Sequence, residues 1–124
     1  MTSGKILLIE DEPVVFRLYQ RLLTIEGYEV DVAQTGNEGI KKLEAGGYDL
    51  VLLDILLPQI DGLGILEKAK EEDLFAKNGP VVVLSNLDVD KAIKKALALG
   101  AKDYIIKSDI EPQELLEKVK RYIG

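Results

Sequence analysis

The chain has 124 residues, 47% hydrophobic and 31% charged, which is enough for one globular domain with a single core. Its 16 basic and 22 acidic residues leave a net charge of −6, which argues against nucleic acid or an anionic membrane as a direct partner. With no Cys and no His, disulfides, thiol nucleophiles, zinc–thiolate sites and histidine bases are excluded.

Met1 to Lys5 precedes only a short apolar run, so it reads as neither a signal peptide nor a membrane span. The lack of Cys suits a reducing cytoplasm. Lys5 to Glu10 reads as a first strand around Ile6-Leu7-Leu8-Ile9. Asp11 is a candidate cap for the next helix, and Pro13 suits its first turn. Val15, Leu18, Leu22 and Ile25 form its apolar stripe, and Gly27 ends it. Tyr28 to Ala33 alternates apolar with acidic residues, the pattern of an edge strand. Thr35 and Glu38 have capping-box spacing for a second helix carrying Ile40 and Leu43, closed by Gly46-Gly47.

The third strand, Asp49-Leu50-Val51-Leu52-Leu53, is a run without alternation, buried on both faces, and it stops on Asp54. A loop with Pro58 and Asp61-Gly62 leads to a third helix, Gly62 to Glu72, with Leu63, Leu66 and Ala69 inward. Asp73 to Gly79 reads as a polar connection. The fourth strand, Pro80 to Ser85, is again apolar and again ends on a polar residue. Asn86 or Asp88 is the expected cap of a fourth helix, Val89 to Leu99, stopped by Gly100. Lys102 to Ile106 is the fifth strand, ending at Lys107. The last helix begins at Glu111-Pro112 and carries Leu115, Leu116, Val119 and Ile123. It closes the sequence, so no DNA-binding or enzymatic output domain is expected within the chain.

Strict alternation of strands and helices predicts an α/β fold with right-handed crossovers. With the alternating strand at an edge, the order is 2-1-3-4-5: a flavodoxin-like three-layer αβα sandwich with five parallel strands and five helices, one domain over 1–124.

In a parallel sheet all strand ends share one edge. Glu10-Asp11, Asp54, Ser85 and Lys107 therefore converge on one crevice. Two carboxylates ~4 Å apart repel by about 4 kcal/mol at an effective dielectric of ~20. Hard oxygen ligands without His or Cys select Mg²⁺ or a similar ion to relieve this. Mg²⁺ beside a carboxylate nucleophile suits phosphoryl transfer, with an acyl phosphate on Asp54 as product. Lys107 would bind one phosphate oxygen as a point charge, and Ser85 would donate to another.

This set resembles the receiver domain of two-component response regulators (CheY-like) along the whole chain. The matching residues are Glu10-Asp11, Asp54 in Leu53-Asp54-Ile55-Leu56-Leu57-Pro58, Asp61-Gly62, Ser85, Tyr104 and Lys107. The resemblance implies that Asp54 accepts phosphate from a histidine kinase or histidine phosphotransfer protein. It implies a metal held by Asp11, Asp54 and the Leu56 carbonyl, with Glu10 acting through water. It further implies that Ser85 and Tyr104 switch on phosphorylation, and that a downstream effector reads the helix 4/strand 5/helix 5 region. Such a domain is cytoplasmic and no enzyme beyond its own phosphorylation and dephosphorylation.

Three departures stand out. Ser108 follows Lys107 where the family usually has Pro after a cis bond; cis before a non-proline residue costs ~2.5–4 kcal/mol, so a trans bond and a shifted loop are expected. Asn86 replaces the usual small residue after the switch hydroxyl. Leu56 and Leu87 occupy positions that tune dephosphorylation in the family; two apolar side chains cannot orient water, so a long-lived phosphoryl group is expected.

Taken singly, Asp54 reads as a capping acid, Ser85 as structural, Lys107 as a surface lysine and Tyr104 as a core aromatic. Only the ensemble favours chemistry. A haloacid-dehalogenase-like phosphatase would need a second Asp two residues after the first, where Leu56 stands. A flavin or nucleotide module would need a Gly/Ser/Thr-rich phosphate loop in place of Glu10-Asp11-Glu12-Pro13. A degenerate receiver serving only protein contacts remains the alternative, opposed by Asp11, Asp54 and Lys107.

Overall fold

The computed structural model describes residues 3–123. Strands β1 (Lys5–Ile9), β2 (Glu29–Ala33), β3 (Leu50–Leu53), β4 (Val81–Ser85) and β5 (Asp103–Ile106) alternate with helices α1 (Pro13–Ile25), α2 (Gly36–Ala45), α3 (Gly62–Glu71), α4 (Asp90–Ala98) and α5 (Pro112–Ile123). All strand pairs are parallel, and the order is β2-β1-β3-β4-β5, the flavodoxin-like arrangement read from the sequence.

The pleat sends alternate side chains to opposite layers. Leu7, Ile9, Val51, Leu53, Val81 and Val83 pack with α2, α3 and Ala96 of α4. Ile6, Leu8, Leu50, Leu52, Val82, Leu84 and Ile105 pack with α1 and α5. The central strands are covered on both faces, which is why they read as unbroken apolar runs. All four residues of β3 are buried, and each fully buried aliphatic side chain contributes about 1.5–3 kcal/mol. β2 lies at the edge with Glu29 exposed, so its alternation had the predicted meaning.

Local signals hold at α2, where Thr35 Oγ1 accepts from the Glu38 N–H at 3.1 Å. Asp61 does the same for α3, accepting from the Gly64 N–H at 2.8 Å. Other expectations are corrected. The buried face of α1 is Phe16, Tyr19 and Leu23, not the Val15/Leu18/Leu22/Ile25 stripe; Leu18 and Ile25 are exposed, and Val15 and Leu22 pack at the layer's margin. The aromatic residues fill the space above the sheet, and that fixes the helix's rotation. α1 is capped at Glu12 with no side-chain bond, because the Asp11 carboxylate lies in the acidic cluster described below. In α3 the inward residues are Ile65, Leu66 and Ala69, with Leu63 only partly buried. α4 starts after Val89 with no side-chain cap, so neither Asn86 nor Asp88 caps it. The connection before β4 contains a 3-10 turn, Leu74–Lys77, that buries Leu74. Among the described residues no helix is long and apolar enough to cross a membrane.

Candidate functional site

β1 and β3 are paired in register, Ile9 opposite Leu53, and the Asp54 N–H donates to the Ile9 carbonyl at 3.0 Å. The next residue of each strand is therefore an acid beside an acid. Glu10 and Asp54 are buried, at 1% and 6% exposure, and Asp11 is half-buried. All three bring a carboxylate oxygen within 4.8 Å of the others.

Lys107, from the end of β5, answers this charge. Its Nζ donates to Asp54 Oδ2 at 2.9 Å and also to Glu10 Oε1. Burial pushes the Glu10 carboxyl above its usual range, against the pull of Lys107. Burial alone would lower the Lys107 ammonium, but its hydrogen bonds to Glu10 and Asp54 outweigh this and hold it above the ordinary value. The second Glu10 oxygen accepts from the Glu12 N–H at 3.1 Å. The second Asp54 oxygen accepts from the Leu56 N–H at 3.2 Å. Both oxygens of Asp54 are thus oriented, at the end of a strand with no exposed residue. Gly62 is part of this support: a Cβ there would lie 2.4 Å from the Asp54 carbonyl oxygen.

Ser85 is fully buried at the end of β4, and its Oγ accepts from the Leu87 N–H at 3.2 Å. Tyr104 packs its ring against the core and donates its hydroxyl to the Leu87 carbonyl at 2.6 Å. Burial raises the Tyr104 hydroxyl, and the charges of Asp54 and Asp88 add to this. Leu56 is 57% exposed beside the acids.

Glu10, Asp11, Asp54 and Lys107 are brought together as the strand ends predicted. Ser85 and Tyr104, on the neighbouring strands β4 and β5 of the same sheet, are linked through the backbone of Leu87. No cis peptide bond occurs among the described residues, so Lys107–Ser108 is trans and continues into a 3-10 turn, Lys107–Asp109. Lys107 nevertheless reaches both acids. Three details lay outside the sequence reading. Lys107 pairs with Glu10 as well as facing Asp54; the opposition of an ammonium and an acid pair at one sheet edge was the available signal. Tyr19 of α1, off the predicted stripe, lies near enough to feel Lys107 and Glu10, and burial raises its hydroxyl. Asn86 Oδ1 accepts from the Ser108 N–H at 2.9 Å, and no residue-type pattern marks a backbone donor.

Residues 6–120 match the response regulator receiver domain model. Chemotaxis protein CheY of Treponema pallidum (strain Nichols) is 42% identical over 118 residues, covering 93% of this chain and 79% of its own length. The uncharacterized transcriptional regulatory protein YkoG of Bacillus subtilis (strain 168) is 38% identical over 97% of this chain and 51% of its own. The chain spans about half the length of such transcriptional regulators. A CheY-like receiver domain protein from Methanospirillum hungatei JF-1 superposes with a TM-score of 0.88 at 31% identity, covering 98% of this chain and 94% of that one. The response regulator TrrA of Thermotoga maritima, solved in complex with Mg(2+)-BeF, gives 0.81 at 34% identity, covering 96% and 98%. The chain belongs to the response regulator receiver domains, the CheY-like signalling domains of two-component systems, which are not classical enzymes.

Proposed function

We propose that residues 1–124 form one receiver domain in which Asp54 accepts a phosphoryl group from a phosphohistidine on a histidine kinase or histidine phosphotransfer protein. The observation that carries this reading is the Asp54 carboxylate, buried at the end of β3, gripped by Lys107 and flanked by Glu10 and Asp11. Three hard oxygen donors within 4.8 Å, with no nitrogen or sulfur among them, fit Mg²⁺. Glu10, Asp11 and Asp54 would hold the ion together with the Leu56 carbonyl, and bound there it supplies neutralisation of the phosphate charge.

An Asp54 oxygen attacks phosphorus, the P–N bond of the donor breaks, and the imidazole leaves with the electron pair. Lys107 already touches the attacking carboxylate and pairs with a phosphate oxygen as a point charge. Ser85 moves from its Leu87 contact to donate to the phosphate, and Tyr104 follows because it holds the same residue's carbonyl. A downstream effector protein or domain reads the change at the α4/β5/α5 face. The chain catalyses only its own phosphorylation and dephosphorylation, works in the cytoplasm, and at −6 net charge does not itself contact nucleic acid.

The test is intact mass after incubation with Mg²⁺ and a small acyl phosphate. One phosphoryl group is expected on the parent, and none on Asp54→Asn or in the presence of a chelator. A parent that binds Mg²⁺ and stays unmodified with both this donor and phosphohistidine donors points to the degenerate receiver instead.

A further inference from the structure

The β4·β5 ladder ends where Ser85 pairs with Ile106. One residue further along β4 and two further along β5, the Asn86 side chain accepts from the Ser108 N–H at 2.9 Å. This is an extra rung built from a side chain. Lys107 lies between the two tie points, and its Nζ spans Glu10 and Asp54. We propose that Asn86 is a positioning residue: through the Ser108 amide it fixes the backbone of Lys107 and couples that backbone to the segment carrying Ser85. The proposal deepens the reading of Asp54 as acceptor and rests on it.

Three features support it. The Lys107–Ser108 segment is a short 3-10 turn after the last ladder pair, so the ladder itself does not hold it. Asn86 makes no cap to α4, and its Oδ1 accepts from the Ser108 N–H instead. The bond needs a backbone N–H at position 108, which a proline there would lack. It follows that displacement of Ser85 and Asn86 toward Asp54 pulls directly on the anchor of Lys107.

The test uses the full chain and four variants: Asn86→Ala, Asn86→Asp, Ser108→Pro and the Asn86→Ala/Ser108→Pro pair. By NMR, the Ser108 amide should exchange about two- to five-fold faster in Asn86→Ala, the loss of one net hydrogen bond at an exposed site. Asn86→Asp keeps the acceptor oxygen and should restore protection. The ¹⁵Nζ signal of Lys107 should shift in Asn86→Ala and return in Asn86→Asp. Asn86→Ala should also slow phosphorylation by a small acyl phosphate, with no further slowing in a Ser108→Pro background. Equal Ser108 exchange in parent and Asn86→Ala, or an unmoved Lys107 signal, overturns the proposal. So does equal slowing in both backgrounds. The NMR readouts are made on the unphosphorylated chain, so a chain that never takes phosphate refutes the acceptor reading while the NMR still decides the role of Asn86.

Discussion

Replacing Lys107 with Ala should cost stability and make what remains dependent on Mg²⁺. The ammonium, 10% exposed, is the cation between Glu10 and Asp54, whose side chains are 1% and 7% exposed. Removing it leaves two buried carboxylates whose oxygens lie within 4.8 Å. At an effective dielectric of ~20 they repel by about 3 kcal/mol at that separation. That agrees with the ~3–5 kcal/mol measured when one partner of a buried ion pair is deleted. Urea unfolding in chelator at neutral pH should therefore show a loss of about 3 kcal/mol for Lys107→Ala. Millimolar Mg²⁺ should recover more than half of the loss, since a divalent ion among Glu10, Asp11 and Asp54 replaces the missing charge. A loss below about 1 kcal/mol in chelator, or an equal loss with and without Mg²⁺, refutes the reasoning.

Gly62→Ala should destabilise by about 1–3 kcal/mol, because the added Cβ lies 2.4 Å from the Asp54 carbonyl oxygen and 2.7 Å from Ile55 Cα; a change within about 0.5 kcal/mol in the same assay contradicts the packing. Burial, the 2.8 Å hydrogen bond to Asp31 and that carboxylate's charge hold the Tyr48 hydroxyl far above its usual 10.0. The unfolded chain loses that proton first, so the contribution is complete below about pH 10 and fades above it; urea midpoints should fall less steeply with alkaline pH in Tyr48→Phe than in the parent. With Leu56 exposed beside the acids and Leu87 apolar, the phosphoryl group should persist for minutes or longer by intact mass at room temperature; loss within seconds contradicts the tuning argument.

The central strands were legible because burial on both faces leaves unbroken apolar runs, Ile6 to Ile9 in β1, Leu50 to Leu53 in β3 and Val81 to Leu84 in β4. Once the strand order is known, the meeting of Glu10, Asp11 and Asp54 follows from topology, and the long Lys107 side chain reaches them from β5 past β4. The rotation of α1 was not legible. Val14, Val15, Phe16, Leu18, Tyr19, Leu22, Leu23 and Ile25 permit more than one helical stripe, and the layer above the sheet selects Phe16, Tyr19 and Leu23. That choice leaves Val14, Leu18 and Ile25 exposed on one face of the helix. Ser108 and Asn86 were each visible as departures from the family pattern. Their bond was not, because its donor is a backbone amide that every residue except proline carries.

The most direct measurement is to trap the acyl phosphate. The chain is incubated with Mg²⁺ and a small acyl phosphate, reduced with borohydride, digested and mapped by peptide mass spectrometry. Reduction converts a phosphorylated aspartate to homoserine. Homoserine at position 54, absent when the phosphate donor or Mg²⁺ is withheld, is the predicted result. Reduction at Asp11 or Glu10 instead, or none in a chain whose intact mass shows a phosphoryl group, contradicts Asp54 as the acceptor.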